Sequence, residues 1–172
     1  MKFTFLPDTP ETHLKPILIS GEASRNLWNV TYIKYEEEEE IKAVFEIRYD
    51  CHCSPFSQVM IEQGVLAVGY EECFYLFSLS ENKSLLILEL HGYFGHLYHH
   101  ENCFYVADSG GLYRIDEAGA ILWHNSNLGI DGVIINDFTD NTITGQGEWD
   151  PPGGWRDFVL DKQTGMLIKD NA

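Results

Sequence analysis

The sequence predicts an all-β fold: a partial or small β-propeller-like array of about three four-stranded repeats, plus an N-terminal β-hairpin region. The first observation behind it is a threefold internal repeat, in which a pair of turn residues precedes a short apolar strand. The turn residues Gly64, Asn102 and Asn141 follow one another at intervals of 38 and 39 residues. A period near 40 residues, with several strands per unit, is typical of propeller repeats.

The second observation is that each repeat contains four short apolar strands, separated by turns rich in Gly, Asn and Asp. The strands that precede the turn pairs lie at 58–61, 95–99 and 132–135. The third and fourth strands lie at 74–79 and 85–90, at 111–115 and 120–123, and at 156–160 and 166–168. Because four strands match at a steady period, we expect a true repeat and about twelve to fifteen strands in the whole chain.

Residues 1–55 do not follow the repeat closely, although the whole chain, residues 1–172, is predicted to be a single domain. They contain three apolar strands, at 14–20, 28–35 and 41–49. These strands can form either a degenerate fourth blade or a cap on the three blade-like repeats of residues 56–172. An open stack of blades leaves exposed sheet edges that need a cover. The alternative cover is a second copy of the chain, so a homodimer through exposed sheet edges is a further expectation.

Five consecutive carboxylates separate two of the N-terminal strands: Glu36, Glu37, Glu38, Glu39 and Glu40. In the strand that follows, Phe45 and Ile47 fall on one face while Glu46 and Arg48 fall on the other, as expected for a half-buried strand. The run is therefore predicted to be a hairpin tip. Five like charges repel one another, so we expect a hydrated, mobile loop. As a binding element, this loop would speed the approach of a cationic partner.

One segment of the second repeat resembles a blade of the quinoprotein, or PQQ-like, β-propeller repeat. In that repeat a strand ends in Asp, turns through Gly and returns on a strand that closes with Trp, as Asp116, Gly119 and Trp123 do here. In the third repeat Lys169 stands in the place of the Trp. The resemblance covers residues 56–170 and concerns the blade alone. It implies the fold without quinone binding, so we expect no cofactor.

The block GEWDPPGGW at 147–155 resembles a segment in a family of small uncharacterised bacterial proteins, which implies no activity. The block is an insertion relative to the second repeat, and its Pro-Pro-Gly-Gly sequence predicts a tight, non-helical turn. Tryptophan is enriched at binding hot spots, and function tends to lie on loops held by a rigid scaffold. The alternative is that both Trp side chains pack back on the sheet and cover an open edge. The candidate binding residues here are Trp149, Asp150, Trp155 and Arg156.

The sequence carries a net charge of −16 at pH 7. Nucleic acids and anionic membranes are bound through basic faces, so neither is an expected partner. The charge favours a basic protein partner, although the alternative is a merely hydrated acidic surface. No run of about 18 apolar residues occurs, and Pro7 interrupts the N-terminus before a signal-peptide core could form. We therefore expect a cytoplasmic protein.

The chain has four cysteines: Cys51, Cys53, Cys73 and Cys103. In a cytoplasmic protein the expected state is four free thiols. Cys51 and Cys53 alternate along an extended segment and would point to the same side. With one histidine, they are the residues to consider as metal ligands. Structural zinc sites usually show Cys-x-x-Cys pairs, which this sequence lacks, so we expect no metal.

Four histidines fall within ten residues: His91, His96, His99 and His100. On a strand, His96 and His100 share one face and His99 lies on the other. The innermost strands of a propeller line its central channel, and the equivalent strand of the third repeat carries Asp131. His96, His100 and Asp131 are therefore the candidates to line the channel, where they could bind a cation or carry out acid–base chemistry near neutral pH. The alternative is half-buried histidines with ordinary hydrogen bonds.

No Gly-x-Ser-x-Gly elbow, phosphate-binding loop or His-Glu-x-x-His helix occurs in the sequence, so no catalytic residue is assigned. We therefore expect a non-catalytic protein-binding module of the bacterial cytoplasm, for example an immunity-type protein that neutralises a basic toxin. The alternative is a small-molecule- or metal-binding enzyme that uses the His and Asp residues of the innermost strands.

Overall fold

The computed structural model describes residues 1–50 and 52–170, and this part of the chain is nearly all β. Sixteen strands form four four-stranded sheets, and the described residues contain one short 3-10 helix, Glu22–Asn26. No helix there is long and apolar enough to cross a membrane. The predicted all-β, propeller-like array of four-stranded repeats is therefore confirmed.

Each of the three repeats forms one antiparallel sheet whose strand order follows the sequence. The second sheet contains β5 (Ser57–Glu62), β6 (Val65–Tyr70), β7 (Cys73–Ser78) and β8 (Lys83–Glu89). The third contains β9 (Phe94–His100), β10 (Cys103–Asp108), β11 (Leu112–Asp116) and β12 (Ile121–Asn125). The fourth contains β13 (Val133–Phe138), β14 (Thr142–Glu148), β15 (Trp155–Asp161) and β16 (Leu167–Asp170).

The N-terminal region forms a sheet of its own, with the strand order β1-β3-β4-β2. Its strands are β1 (Lys2–Leu6), β2 (Ile17–Leu18), β3 (Asn29–Glu37) and β4 (Glu40–Tyr49). The two-residue strand β2 pairs parallel to β4. The sequence did not predict β1, whose Phe3 and Phe5 pack towards the second sheet. The region thus has the four strands of a blade but not the order of the repeats.

Three apolar clusters join the sheets in chain order. Ile33 and Phe45 of the first sheet pack with Tyr75 of the second. The second and third sheets meet around Phe74, Phe94 and Phe104, and the third and fourth around Trp123, Ile143 and Phe158. No such cluster joins the first and fourth sheets within residues 1–50 and 52–170.

Ion pairs and a hydrogen bond between polar side chains lie on the outward faces of the two terminal sheets. On the first sheet, the Lys34 Nζ and Glu36 Oε1 atoms are 3.0 Å apart, and the Arg48 Nε and Glu46 Oε1 atoms are 2.6 Å apart. On the fourth, Gln146 donates a hydrogen bond of 2.7 Å to Asp157. These faces suit contact with water. The homodimer through sheet edges stays a prediction. The edge strands β12 and β16 carry exposed apolar side chains that a second copy of the chain could contact.

The array has two distinct ends. The strands β5, β9 and β13 begin at one end, which we call the cleft end. The turns at 63–64, 101–102 and 139–141 lie at the opposite end, which we call the hairpin end. Residue Asn29 pairs with Tyr49, and Ser57 pairs with Tyr70. Because the Tyr49 and Tyr70 rings lie 5.2 Å apart, the β3–β4 hairpin points to the hairpin end.

The acidic run Glu36 to Glu40 forms the tip of this hairpin, as predicted. The prediction that all five residues form a loop is wrong. Only Glu38 and Glu39 form the turn, with φ angles of 49° and 67°. The other three glutamates belong to the strands. Glu36 and Glu40 pair with lysines, and Glu37 accepts a hydrogen bond from Tyr35. These cationic and hydroxyl partners offset part of the mutual repulsion on which the loop prediction rested.

A cleft where three sheets meet

A cleft of about 400 Å³ opens at the cleft end, between the first strands of the second, third and fourth sheets. Its chemically distinctive side chains are three aromatic rings, two carboxylates and one imidazole. They belong to Phe56, Tyr93, His96, Asp131, Glu148 and Trp155. We call this site the channel-mouth cleft.

The repeat itself brings these residues together. Phe56 and Tyr93 stand one residue before β5 and β9, and Asp131 stands two residues before β13. The strand β9 contacts both β5 and β13, so the residues that precede these three strands meet at the same end. The neighbouring strands are also linked by side chains. Gln58 bonds both the C=O of Leu97 (2.9 Å) and its N–H (3.0 Å), and Tyr98 Oη accepts from the Ile135 N–H (3.0 Å).

The acidic side of the cleft is held by hydrogen bonds, most of them between segments that are distant in the sequence. The main-chain N–H of Glu148 donates to the Gly132 C=O (2.9 Å), and the Glu148 C=O accepts from the Ile130 N–H (2.8 Å). The Glu148 Oε1 atom accepts from the Gly153 N–H at 2.6 Å. Asp131 accepts from the Tyr93 hydroxyl at 2.8 Å. Both carboxylates are therefore fixed by backbone or hydroxyl donors.

Trp155 pairs with Glu148 across β14 and β15, and its ring lies over Gly132. A Cβ atom at Gly132 would lie 3.1 Å from Trp155 Cη2, which is closer than ordinary side-chain packing, and 3.9 Å from Glu148 Oε2. The absence of a side chain at this position therefore allows the indole ring and the carboxylate to lie side by side. Trp155 remains 39% exposed, and Phe56 remains 45% exposed.

The electrostatics of the cleft are negative at neutral pH. Burial raises the pKa of Tyr93 to about 12, and the hydrogen bond to Asp131 acts in the same direction, so the phenol stays a donor. Burial lowers the pKa of His96, which keeps that imidazole neutral at pH 7. The cleft lining contains neither Lys nor Arg. Its charge is therefore that of the carboxylates of Asp131 and Glu148.

Three of the residues singled out in the sequence, His96, Asp131 and Trp155, lie in this cleft. The rest of the insertion lies beside it. Trp149 is half-buried, and the Arg156 guanidinium lies 5.5 Å from the centre of its ring. Asp150 closes the tight turn by accepting from the Gly154 N–H at 3.0 Å. The exposed aromatic surface of the insertion is thus Trp155.

His100 and the acidic run do not belong to the cleft. His100 shares a face of β9 with His96, as predicted, but lies four residues further along, about 13 Å away at strand spacing. There its ring stacks on Phe138, with centroids 4.6 Å apart. Glu36 to Glu40 lie at the hairpin end, across the length of the sheets from Trp149 and Trp155. The two candidate binding elements, the acidic run and the Trp insertion, therefore lie at opposite ends of the sheets.

The cysteines form no metal site in the described part of the chain, where no group of three or more His, Cys, Asp or Glu side chains could hold an ion. Cys73 and Cys103 are free thiols, and burial raises the pKa of Cys73. The Cys53 N–H donates to Glu71 at 2.6 Å. Cys51 lies outside the described residues, so metal binding by Cys51 and Cys53 stays a hypothesis.

Sequence reasoning missed Phe56, Tyr93 and Glu148. A signal for the first two was present, because an aromatic residue stands two positions before the predicted first strands at 58–61 and 95–99. An alignment of the repeats that began two residues earlier would have shown these two aromatic residues at equivalent positions. Glu148 lies inside the GEWDPPGGW block, but no position of the repeat marks it, and backbone hydrogen bonds to residues 130–132 bring it to the cleft.

Two further cavities, of about 460 and 480 Å³, open at the same end, where the first and second sheets meet. The larger is lined by Phe5, Tyr49 and Tyr70, together with Trp28, which is 95% exposed. The smaller is lined by Tyr75 and Ile87 with several acidic residues. Three cavities thus open at the cleft end.

No protein-family model and no curated protein sequence matches the chain. Among solved structures, BamB from Moraxella catarrhalis, a PQQ-like β-propeller repeat protein, is 18% identical, with a TM-score of 0.56 over 81% of this chain and 43% of that one. Hydrazine synthase from Kuenenia stuttgartiensis is 13% identical, with a TM-score of 0.55 over 95% and 52% of the two chains. The computationally designed protein Ika8 is 14% identical, with a TM-score of 0.55 over 83% and 46%.

These likenesses show a β-propeller-type fold and leave the function open, because the sequence identities are low. The chain spans about half the length of the three structures. The resemblance to PQQ-like repeats is supported at the level of the fold. The resemblance of the GEWDPPGGW block to a bacterial family has no support, since no family model matches.

Proposed function

We propose that this chain is a non-catalytic protein-binding module of the bacterial cytoplasm that binds a basic protein through its cleft end. An immunity-type protein that neutralises a basic toxin is one form of this function. The observation that carries the proposal is the channel-mouth cleft, which joins exposed aromatic rings to two carboxylates in a protein of net charge −16.

Several features support binding rather than catalysis. Exposed aromatic rings on a rigid scaffold lose little conformational entropy on binding and are enriched at hot spots. Trp155 and Phe56 are exposed at the cleft, and Trp28 is exposed at a neighbouring cavity of the same end. The negative charge of the whole chain attracts a cationic partner and speeds its approach. The cleft end thus combines the two properties that a binding surface for a basic protein needs.

A second candidate function is a small-molecule- or metal-binding enzyme. One observation favours it, because His96 and Asp131 line the same cleft. A neutral histidine near a carboxylate is suited to accept a proton at neutral pH. The lining of the cleft includes no Ser, Thr, Cys or Lys, so catalysis there would have to rely on proton transfer or on a bound water.

Isothermal titration with three peptides of equal length, one basic, one neutral and one acidic, tests the proposal. We expect the basic peptide alone to bind, with an affinity that falls as salt is raised. Equal binding of the three peptides, or binding of none, would contradict it. A melting-temperature series with divalent metals tests the second candidate, because a ligand that binds the native state raises the melting temperature.

A further inference from the structure

We propose that the channel-mouth cleft is a receptor for one guanidinium group, an arginine side chain of the protein partner. This inference rests on the proposed function and names the chemistry of its contact. The site would accept the flat cation between aromatic faces and pair it with Glu148 and Asp131.

The first argument is the unsatisfied charge of the cleft. Neither Asp131 nor Glu148 forms an ion pair with any Lys or Arg in residues 1–50 and 52–170. One oxygen of Glu148 accepts from the Gly153 N–H, while the other, Oε2, lies beside Gly132 and the Trp155 ring. Two fixed carboxylates without a cation of their own favour a cation supplied by a ligand.

The second argument is the aromatic surface around these carboxylates. The rings of Phe56 and Tyr93 are 6.5 Å apart and tilted by 35°, and the Phe56 and His96 rings are 5.7 Å apart. Trp155 contributes an exposed indole on the Glu148 side. Ring faces attract cations, most strongly those of Trp. The nearest arginine of the insertion, Arg156, does not line the cleft because it lies over Trp149.

The third argument concerns the choice between arginine and lysine. A guanidinium is planar, stacks on aromatic faces and donates two parallel hydrogen bonds to one carboxylate. A lysine ammonium is a compact, strongly hydrated charge that cannot stack in this way. The carboxylate of Glu148 stands next to the Trp155 ring, which is the arrangement that rewards a stacked, bidentate cation. Arginine is therefore the favoured ligand.

The test uses three small probes: N-acetyl-arginine amide, N-acetyl-lysine amide and N-acetyl-citrulline amide. Citrulline has nearly the shape of arginine without the charge. Chemical shifts of the Trp155 indole N–H, followed during titration of the ¹⁵N-labelled chain, report binding at the cleft. We expect the arginine probe to bind about five- to thirty-fold more tightly than the citrulline probe, the range for a cation–π contact with partial desolvation. Equal affinities for arginine and citrulline would overturn the inference.

Two variants locate the site. Glu148→Gln and Asp131→Asn keep the shape of the side chains and one acceptor oxygen each but remove the charge. We expect each to weaken the arginine probe by about five-fold or more. Asp157→Asn is the matched control, since Asp157 is an exposed carboxylate of the same sheet that bonds Gln146 instead. A melting curve for each variant confirms that the fold is kept.

The outcomes separate this inference from the proposed function. If Glu148→Gln and Asp131→Asn bind the arginine probe as tightly as Asp157→Asn does, the cleft is not the receptor. A basic peptide that still binds both variants with unchanged affinity would then leave the binding module in place and move its contact elsewhere. If no basic peptide binds the unaltered chain, the proposed function falls and the inference falls with it.

Discussion

Lys162 is the only lysine or arginine in the described part of the chain whose side chain is fully buried, at 0% exposure. Its ammonium donates to Glu101 Oε2 (2.8 Å) and to the Thr139 C=O (2.7 Å). Its own C=O accepts from Arg114 and from the Trp123 indole N–H. One residue thus ties the hairpin ends of the third and fourth sheets together.

We expect Lys162→Met to lower the free energy of unfolding by about 1–3 kcal/mol, because it removes the hydrogen bonds that the buried ammonium donates to Glu101 and to the Thr139 C=O. Urea unfolding followed by circular dichroism measures this. Lys83→Met, at an exposed lysine of β8, is the control and should change stability by less than about 0.5 kcal/mol. A Lys162→Met protein as stable as the control would show that the buried ammonium contributes nothing net.

The same contact makes stability depend on acid. The hydrogen bond from Lys162 holds the pKa of the Glu101 carboxyl below its usual range. A carboxyl with a depressed pKa in the native state stabilises the fold above its unfolded pKa, and this contribution is lost as the pH falls through the native pKa. Stability should therefore decline below about pH 4.3, the ordinary Glu value. In Glu101→Gln this part of the decline should be absent, whereas an unchanged pH profile would contradict the assignment.

At the scale of elements, one glycine controls the packing of the second sheet on the third. Gly69 of β6 faces the Phe94 ring of β9, and a Cβ there would lie 2.0 Å from Phe94 Cε2. Phe94 is fully buried. We expect Gly69→Ala to destabilise the fold by about 1–3 kcal/mol, the usual cost of overpacking a core.

The matched control for Gly69→Ala is the same change in a Phe94→Leu background. The smaller leucine side chain makes room for the new methyl group. Gly69→Ala should therefore lower the free energy of unfolding clearly less in the Phe94→Leu background than in the unaltered chain. Thermal unfolding of the two single variants and the double variant gives the coupling energy. Strictly additive effects would rule out the ring contact as the reason for the glycine.

The elements of the three repeats could be predicted because their turns are local. Pairs such as Gln63–Gly64 and Glu101–Asn102 place residues with positive φ where the hairpins reverse, and alternating apolar residues mark the strands between them. The N-terminal sheet was harder. Strand β2 has two residues and pairs parallel to β4, and β1 pairs with β3 across a long stretch of sequence. No local pattern announces such pairings.

At the scale of the whole molecule, the position of the acidic run changes what it can do for binding. The length of a seven-residue strand such as β14, about 23 Å at strand spacing, separates Glu36 to Glu40 from the cleft end. Salt screens exposed charges beyond about 8 Å at physiological strength. We therefore expect the acidic run to speed the association of a partner at the cleft end only slightly.

Replacing all five glutamates 36–40 with Gln should change the association rate of a basic peptide by less than about two-fold at physiological salt, because screening leaves little of their field at the cleft. Stopped-flow mixing at several salt concentrations measures it. Glu148→Gln serves for comparison and should raise the dissociation rate instead. A many-fold slower association of the five-Gln variant would place the contact at the hairpin end.

The candidate site could be predicted only in part. His96 and Asp131 were found because the repeat aligned their strands, and Trp155 because tryptophan beside Pro-Pro-Gly-Gly is unusual. Their meeting with Phe56, Tyr93 and Glu148 depends on how the second, third and fourth sheets pack against one another. That packing is fixed by large buried rings such as Phe94 and Phe104, and neither ring lines the cleft.

The gathering of the cavities at one end has an optical consequence. Trp28 and Trp155 line cavities there. Trp149 lies in the adjoining turn, where its main-chain N–H donates to the Gly154 C=O. Trp123, the fourth tryptophan of the chain, is buried between the third and fourth sheets. Collisional quenchers dissolved in water should therefore quench the emission of the tryptophans at the cleft end, the first population. The remaining emission, from the buried Trp123, should be blue-shifted. Any molecule that settles on the cleft end shields the first population, so the unlabelled chain reports its own occupancy in the wavelength and yield of its fluorescence.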